Sequence, residues 1–232
     1  MRHDEILYGK LARLKLQLET LKLHGHQYVE FPGDYNWLAR IGKATMNPIE
    51  IVAAQVESCE LCPLAKTRTN AVFGVGDVKA RLMFIGEAPG RDEDLKGEPF
   101  VGRAGALLTR MIKGMGLERE DVYIANIIKC RPPKNRNPEP VEVDNCEPYL
   151  KRQINIIKPE IICALGAVSA QTLLKTKTPI SRLRGQFYQY EGAPLLPTFH
   201  PAYLLRNPSA KTDAWSDLQM IMEKLGLKIP DK

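Results

Sequence analysis

The sequence of 232 residues lacks the features of a membrane or secreted protein. It contains no run of about 18 apolar residues, the length that a membrane-spanning helix needs. Charged residues interrupt the apolar stretch of residues 1–19, whereas a signal peptide has an uncharged apolar centre. We therefore predict a cytoplasmic protein, and the sequence shows no internal repeat that would indicate a solenoid.

Two common nucleotide-binding fingerprints are also missing. The stretch at residues 86–105 holds five glycines and two prolines, so glycine-rich loop chemistry has to be considered there. However, no Gly-Lys-Ser/Thr ends this stretch, as it would in a Walker loop. The glycine spacing, interrupted by prolines, does not fit a dinucleotide-binding turn either. The sequence therefore contains no motif here that would indicate binding of ATP or NAD.

A disulfide framework is not expected, because the five cysteines are an odd number in a chain without a secretion signal. Metal ligation is the better interpretation for four of them: Cys59, Cys62, Cys130 and Cys146. A zinc ribbon would carry a second close pair, whereas 15 residues separate the last two of these cysteines. Pro63 follows Cys62, and a Cys-Pro step recurs in iron–sulfur loops. Cys163 lies in an apolar run and is predicted to be a core residue.

The charge balance favours an anionic partner. The net charge is +6, and nucleic acid is the most common partner of a basic protein, although many basic proteins bind none. The hydrophobic fraction of 44% is ordinary for a protein with a packed core.

Residues 4–24 are predicted to form a helix, since five leucines recur at alternating steps of four and three: Leu7, Leu11, Leu14, Leu18 and Leu21. This stripe suits packing onto the chain's own domain, which predicts a monomer, or a weak dimer through a short coiled coil. Breakers such as Pro32 and Gly33 follow in residues 25–46. We therefore divide the chain into an N-terminal helical extension, 1–46, and a main domain, 47–232.

The main domain alternates short apolar runs with helical patterns. Asn47-Pro48 predicts a helix start, with the helix ending near Cys59. Buried strands are predicted at 81–86, 122–126, 160–165 and 195–199, and further helices at 104–114, 139–157, 167–175 and 211–226. This alternation predicts an α/β fold, a three-layer α/β/α sandwich around a mainly parallel four-stranded sheet. The sequence leaves open whether residues 187–190 form a further strand at the edge of the sheet.

Unusual residues gather where these strands end, which is where parallel sheets place their sites. The first strand runs into Gly86-Glu-Ala-Pro-Gly90 and then Gly97-Glu-Pro-Phe-Val-Gly102. The second ends at Asn126, and the fourth runs into His200-Pro-Ala-Tyr-Leu-Leu-Arg206. With these motifs and the four cysteines, residues 47–226 resemble the family 4 uracil-DNA glycosylases.

The resemblance implies a monofunctional DNA glycosylase that flips uracil out of DNA and hydrolyses its N-glycosidic bond, which starts base excision repair. It also implies that the main domain carries a [4Fe–4S] cluster on Cys59, Cys62, Cys130 and Cys146. The substrate would be uracil-containing DNA, either single- or double-stranded. Two alternatives stay open: a related glycosylase that acts on other bases, and a non-enzymatic iron–sulfur module that only binds DNA.

The resemblance further implies a uracil pocket lined by six residues: Gly86, Glu87, Ala88, Phe100, Asn126 and His200. Phe100 would stack on the base, and the amide of Asn126 would read the edge of uracil, because an amide offers both a donor and an acceptor. A neutral His200 would donate to O2 and stabilise the developing negative charge. Asn126 could also suit cytosine if its amide turned over, so neighbours must hold it.

One departure concerns the catalytic water. Where the best-known uracil-DNA glycosylases carry an aspartate that positions this water, Ala88 stands here, as is usual for family 4. We therefore predict Glu87 and His200 as the catalytic pair, with Glu87 as the nearest candidate to position the water. Glu93 is an alternative acidic residue that could exclude the 5-methyl group of thymine.

DNA contacts are predicted on two loops. Three cations on a proline-rich loop suit phosphate contact: Arg131, Lys134 and Arg136. In the other loop, Leu204 or Leu205 would fill the space left by the flipped base, and Arg206 would contact phosphate.

Overall fold

A computed structural model describes residues 47–229 of the chain. The predicted N-terminal helix and the connection at 25–46 lie outside the described residues, so the division of the chain at residue 46 stays a prediction. Among the helices of residues 47–229, none is both long and apolar enough to cross a membrane.

Helix α1, Pro48–Glu57, starts where the sequence predicted. The Asn47 side chain accepts a hydrogen bond from the Ile49 amide at 3.3 Å, and Glu50 accepts one from the Asn47 amide at 3.2 Å. These reciprocal bonds satisfy amides that the first helical turn leaves without partners. The helix ends two residues before Cys59 and so leaves the first cysteine pair outside it.

The sheet has six strands, β1 to β6: Val75–Gly76, Leu82–Gly86, Tyr123–Asn126, Ile161–Leu165, Tyr188–Tyr190 and Ala193–Thr198. Their order is β1-β3-β2-β4-β6-β5. The four inner strands are parallel and are the four that the sequence predicted, whereas β1 and β5 pair antiparallel at the edges. The predicted count of four was therefore wrong. The edge strand that the sequence left open at 187–190 corresponds to β5, whereas β1, with two residues, is too short to give a detectable alternation.

Within residues 47–229, seven further α-helices, α2 to α8, follow: Arg91–Lys96, Arg103–Gly114, Pro140–Ile157, Ala167–Leu173, Ile180–Leu183, Pro201–Arg206 and Lys211–Leu225. The four long patterns of the sequence correspond to α3, α4, α5 and α8. The sequence missed α2, α6 and α7, which have six, four and six residues. Fewer than two turns show too little of the 3.6-residue period to be recognised.

Helices cover both faces of the sheet. Along β2, Met83 and Ile85 belong to a core cluster that includes residues of α4, such as Leu150. Leu82 and Phe84 belong instead to a second cluster that includes residues of α3 and α8. Successive strand residues point to opposite faces, so the two clusters lie on the two sides of the sheet. The mixed α/β class is confirmed.

A buried ion pair fixes the end of β6. Asp217 of α8 accepts hydrogen bonds from Arg184 Nε at 3.0 Å and from Arg184 Nη2 at 2.9 Å. It also accepts one from the Thr198 hydroxyl at 2.6 Å. Thr198 is the last residue of β6, two positions before His200. The pair therefore ties α8 and the residue after α6 to the strand end that carries this histidine.

We expect Asp217→Ala to lower the free energy of unfolding by about 3 kcal/mol, because it leaves the Arg184 guanidinium buried without its anion. Urea denaturation followed by circular dichroism measures this change. Glu160→Ala is the matched control: both side chains of the Arg81–Glu160 pair are half exposed, so its loss should lower the free energy of unfolding much less. Equal losses in the two variants would contradict a special role for the buried pair.

Candidate active site

Three loops meet at the carboxyl edge of the sheet. Gly86 at the end of β2 pairs with Asn126 at the end of β3. Leu165 at the end of β4 pairs with Thr198, and the Gly166 amide donates to the Thr198 carbonyl at 2.9 Å. Because these strands are parallel, the residues that follow them emerge at one edge.

Gly86 brings two side chains of the predicted pocket into contact range. A Cβ at this position would lie 2.4 Å from Asn126 Oδ1 and 2.7 Å from Phe100 Cζ. Both distances are well below van der Waals contact, so only glycine fits between the amide and the ring. The structure therefore brings Gly86, Asn126 and Phe100 together as the sequence predicted.

Phe100 is held in an unusual backbone conformation, with φ at +53°. Its carbonyl oxygen lies against α3, where a Cβ on Gly105 would approach it to 1.8 Å. On the other side, Arg119 Nη2 donates to the Pro99 carbonyl at 2.6 Å. Only 6% of Phe100 is exposed. These contacts hold a strained residue in place, as is common where a ring must be presented to a ligand.

The Glu93 carboxylate binds backbone amides of the loop that follows β2. Its carboxylate accepts from the amide of Gly90 at 3.1 Å, from that of Val101 at 3.0 Å and from that of Gly102 at 3.4 Å. The structure thus places both oxygens on the loop backbone. This offers no support for the hypothesis that Glu93 excludes the methyl group of thymine.

Asn126 combines deep burial with an unpaired side chain. It is 2% exposed, yet its amide group makes no hydrogen bond with any group of residues 47–229. Its backbone carbonyl, in contrast, accepts a 2.7 Å hydrogen bond from Lys129 Nζ. Within that range the amide is therefore free to bond with water or with a ligand that has matching polar groups.

His200 precedes α7 and caps its first turn. Nδ1 accepts a hydrogen bond from the Ala202 amide at 3.0 Å, so in the neutral ring the proton sits on Nε2. Burial, and to a lesser extent Arg206, lowers the pKa of His200 to about 4, while Glu93 acts in the opposite direction. The imidazole is therefore neutral at physiological pH. Its ring lies 5.5 Å from that of Phe100, measured between centroids.

Glu87 and Ala88 follow β2 directly, and both are partly buried. The backbone carbonyl of Glu87 accepts from the Ile128 amide at 3.1 Å, which continues the pairing of β2 with β3 beyond the strand ends. No group within residues 47–229 hydrogen bonds with the Glu87 carboxyl, and burial raises its pKa. This carboxyl can therefore interact with water or a ligand.

The structure separates the two leucines of α7. Leu204 is 1% exposed and packs in a cluster with Leu107, Phe199 and Ala214. The prediction that Leu204 contacts DNA is therefore wrong for this conformation, because the side chain points into the core. Leu205 is only partly buried, so it remains the candidate of the two.

The predicted phosphate-binding cations differ in whether they already have an ion-pair partner. Arg136 is already paired, since its guanidinium contacts the buried Glu142 carboxylate at 2.6 and 2.8 Å. Arg131 Nε donates to Asn135 Oδ1 at 2.8 Å and has no ion pair within residues 47–229. Lys134 and Arg206 are exposed and likewise unpaired in that range. Arg136 was predicted as a phosphate contact, whereas the structure shows it bound to Glu142, where it fixes the loop to α4.

The four cysteines predicted as ligands line a single cavity: Cys59, Cys62, Cys130 and Cys146. Two sulfurs accept hydrogen bonds, Cys130 from Arg68 Nη1 at 3.1 Å and Cys146 from the Lys129 amide at 3.2 Å. Burial raises the pKa of Cys146 to about 12, so a bound cation is needed to ionise this thiol. Cys163 is fully buried in β4, as predicted for a core residue.

No three candidate ligands in the described part of the chain converge closely enough for a single metal ion. A zinc ion about 2.3 Å from each sulfur requires the four sulfurs to lie close together. The four thiols nevertheless line one cavity, and they are the residues that could hold a metal centre.

Three functional neighbours were missed from the sequence. Lys129 is a fully buried cation between Asn126 and the cysteine cavity, and its signal was a lysine within the apolar run 127–130. Arg68 and Arg119 gave no comparable signal, because their partners come from distant parts of the chain.

Comparisons with known proteins agree with the motifs. A model of the uracil DNA glycosylase superfamily matches residues 73–219. A type-4 uracil-DNA glycosylase of Archaeoglobus fulgidus is 47% identical over 193 residues, which cover 80% of this chain and 97% of the relative. Its counterpart in Saccharolobus solfataricus is 47% identical over 79% of this chain and 89% of the relative. The type-4 uracil-DNA glycosylase of Thermotoga maritima is 48% identical over 69% of this chain and 85% of the relative.

The geometry of His200 predicts an abnormal titration. We expect nitrogen NMR of histidine-labelled protein to show the Nε2-protonated neutral tautomer at pH 6 and a midpoint near 4. An unperturbed histidine, with its midpoint near 6.5, is the reference. The pKa is lowered on folding, so protonation of this ring opposes folding as the pH falls from about 6.5 towards 4. A normal midpoint, or a proton on Nδ1, would contradict the assignment.

Proposed function

Because this chain belongs to the type-4 uracil-DNA glycosylases, we propose that the carboxyl edge of its sheet is the pocket in which it excises uracil. The chain is a uracil-DNA glycosylase, and its substrate is uracil-containing DNA. The observation that carries the location is the unpaired, buried amide of Asn126 beside Phe100. A DNA-binding module without activity would not need such a pocket.

Recognition begins with a base outside the stack, because a buried site cannot reach a base inside the duplex. The Phe100 ring offers a surface on which the flipped base stacks. Asn126 Nδ2 donates to uracil O4, and Oδ1 accepts from N3–H. Cytosine has the opposite donor and acceptor at these positions, so binding it would leave buried groups unpaired. Pairing with Gly86 in the sheet holds the main chain of Asn126, and no side chain at position 86 would fit beside the amide.

Bond cleavage leaves negative charge on the uracil ring. His200 Nε2 carries the proton of a neutral imidazole, because Nδ1 is occupied by the Ala202 amide. A neutral donor at O2 strengthens its hydrogen bond as charge builds up there and needs no proton transfer. The helix cap thus fixes both the tautomer and the direction of the donor.

Glu87 is our candidate for positioning the water that attacks the sugar. Its carboxyl follows β2 directly and has no hydrogen-bond partner in residues 47–229. Burial raises its pKa, which makes the ionised form a stronger acceptor from water. Ala88 lacks a polar group and can only line the pocket. The reaction is then simple hydrolysis by a monofunctional enzyme.

A [4Fe–4S] cluster fits the cysteine cavity. The four thiols, with N–H donors on two of their sulfurs, match the ligand set and the outer hydrogen bonds of such clusters. When bound, the cluster would cross-link the segment before β1, the loop after β3 and α4. In this role it stabilises the loop that carries Arg131 and Lys134, and takes no part in cleavage.

DNA would contact the same edge. Lys134 and Arg131 on the cluster loop and Arg206 on α7 are the cations that remain for phosphates. Leu205 is the residue that we propose fills the gap left by the flipped base. Three points stay predictions. They are the use of single- or double-stranded DNA, the action on bases other than uracil, and the monomeric state.

Loss of the two pocket side chains should abolish excision. On a labelled oligonucleotide with one uracil, we expect His200→Ala and Asn126→Ala to lower the single-turnover rate of alkali-revealed scission by about 100-fold or more. Gln189→Ala, an exposed residue on edge strand β5, should retain the wild-type rate, and a thymine oligonucleotide should stay intact. Full activity in both pocket variants would place the site elsewhere.

The role of Glu87 has its own test. We expect Glu87→Gln to lower the single-turnover rate roughly 100-fold with little change in DNA affinity, because an amide activates water poorly. Asp92→Asn, which neutralises an exposed acid in the same loop, serves as the control and should be unaffected. If Glu87→Gln keeps the wild-type rate, its charge is not required.

The cluster assignment predicts a contrast between two buried cysteines. Purified wild type and Cys163→Ala should each hold about four irons per chain and show iron–sulfur absorption, since Cys163 lies in the sheet core. Cys146→Ala should lose both signals. Stoichiometric zinc without iron in the wild type, by elemental analysis, would overturn the cluster.

A further inference from the structure

Lys129 is a cation in the interior of the protein. It is 1% exposed and lies between Asn126, which we place in the uracil pocket, and Cys130, which we place in the cluster site. A buried ammonium is strongly unfavourable unless its protons are bonded and its charge is compensated. A leucine or methionine would fill the same space without this penalty, so the charge requires an explanation.

Two of its three protons have defined acceptors. Nζ donates to the Asn126 carbonyl at 2.7 Å and to Gln153 Oε1 at 2.6 Å. Gln153 cannot turn its amide over, since Nε2 already donates to the Phe73 carbonyl at 3.0 Å and to the Tyr123 hydroxyl at 3.1 Å. The ammonium is therefore fixed at a single point.

The acceptors are neutral, and Lys129 has no carboxylate partner within residues 47–229. The groups next to it that become anionic are the sulfurs of the cysteine cavity. Its own backbone amide donates to Cys146 Sγ at 3.2 Å, and Cys130 is its neighbour in the chain. Metal-bound thiolates would supply the negative charge that the ammonium lacks.

Helix α4 joins the two sites mechanically. Cys146 and Gln153 stand seven residues apart, which is two turns, so both side chains lie on its buried face. One rigid element thus carries a cluster ligand at one point and the anchor of the ammonium at another.

We propose that Lys129 is a positioning residue for uracil recognition, which couples the cluster to the base pocket by holding the main chain of Asn126. The amide of Asn126 has no partner of its own, so its aim depends on the position of its backbone. With the carbonyl clamped, the amide meets the base in one orientation. This inference rests on the proposed function of Asn126 and of the four cysteines.

The test compares Lys129→Met with wild type in cluster-loaded, full-length protein. We expect the single-turnover excision rate to fall by about 10- to 100-fold while the affinity for uracil DNA changes by less than about 3-fold, because misplacement of a recognising group affects the bound reaction. Nitrogen NMR should show a shifted or broadened Asn126 side-chain amide. The cluster should become harder to reduce, since a nearby positive charge is gone.

Two controls separate positioning from loss of stability. Leu150→Ala removes a fully buried core side chain of α4 and should lower stability without changing the Asn126 signal or the cluster potential. Tyr123→Phe removes only the hydroxyl bond to Gln153 and should change the rate by less than about 3-fold. If Lys129→Met does not fold, Gln153→Met tests the positioning role instead. We then expect the single-turnover excision rate to fall about 3- to 10-fold and the NMR signal of the Asn126 side-chain amide to shift.

An unchanged rate and Asn126 signal in the decisive variant would overturn the positioning role. An unchanged cluster potential in Lys129→Met would overturn the coupling. Failure of the wild type to excise uracil would instead refute the proposed function itself, so the two failures can be told apart.

Discussion

The pairing register of the four parallel strands is the constraint on which the rest of the structure depends. Gly86 lies opposite Asn126, and Leu165 lies opposite Thr198. Both faces of these strands are buried, so a slip by one residue would exchange the side chains of the two core clusters. The same slip would turn the Asn126 side chain away from Gly86. Core packing therefore fixes the strand ends that carry the site, and the loops complete it.

The site relies on neutral polar groups held in fixed directions. His200 is kept uncharged by burial and by a backbone amide on Nδ1, and the Asn126 side chain, which we propose reads the base, is a neutral amide. The carboxylate of Glu93, the most firmly bound acid of the first loop, faces backbone amides. Such prearranged dipoles stabilise charge that appears during a reaction without having to reorient. The cations that we propose for phosphate contact lie closer to solvent, unlike the buried Lys129.

Much of this arrangement could be predicted from the sequence, because long buried strands and the polar residues at their ends are local patterns. The prediction failed where a spatial neighbour decides the outcome. Leu204 and Leu205 differ by one helical step of about 100°, and only packing against Leu107 shows which one is buried. In the sequence nothing pairs Arg136 with an acid, and only the structure shows its contact with Glu142. The clamp that Lys129 places on Asn126 depends on Gln153, which comes from another helix.

The close approach at Gly86 also limits how this enzyme could be redesigned. The floor of the pocket is bare backbone, with an amide oxygen and an aromatic ring already closer than any added methyl group could tolerate. No larger residue can be introduced there to reshape the pocket for a smaller or differently substituted base. An engineer seeking a new specificity would have to work from the rim, through Ala88 or the segment after His200. There, side chains can change without moving the strands.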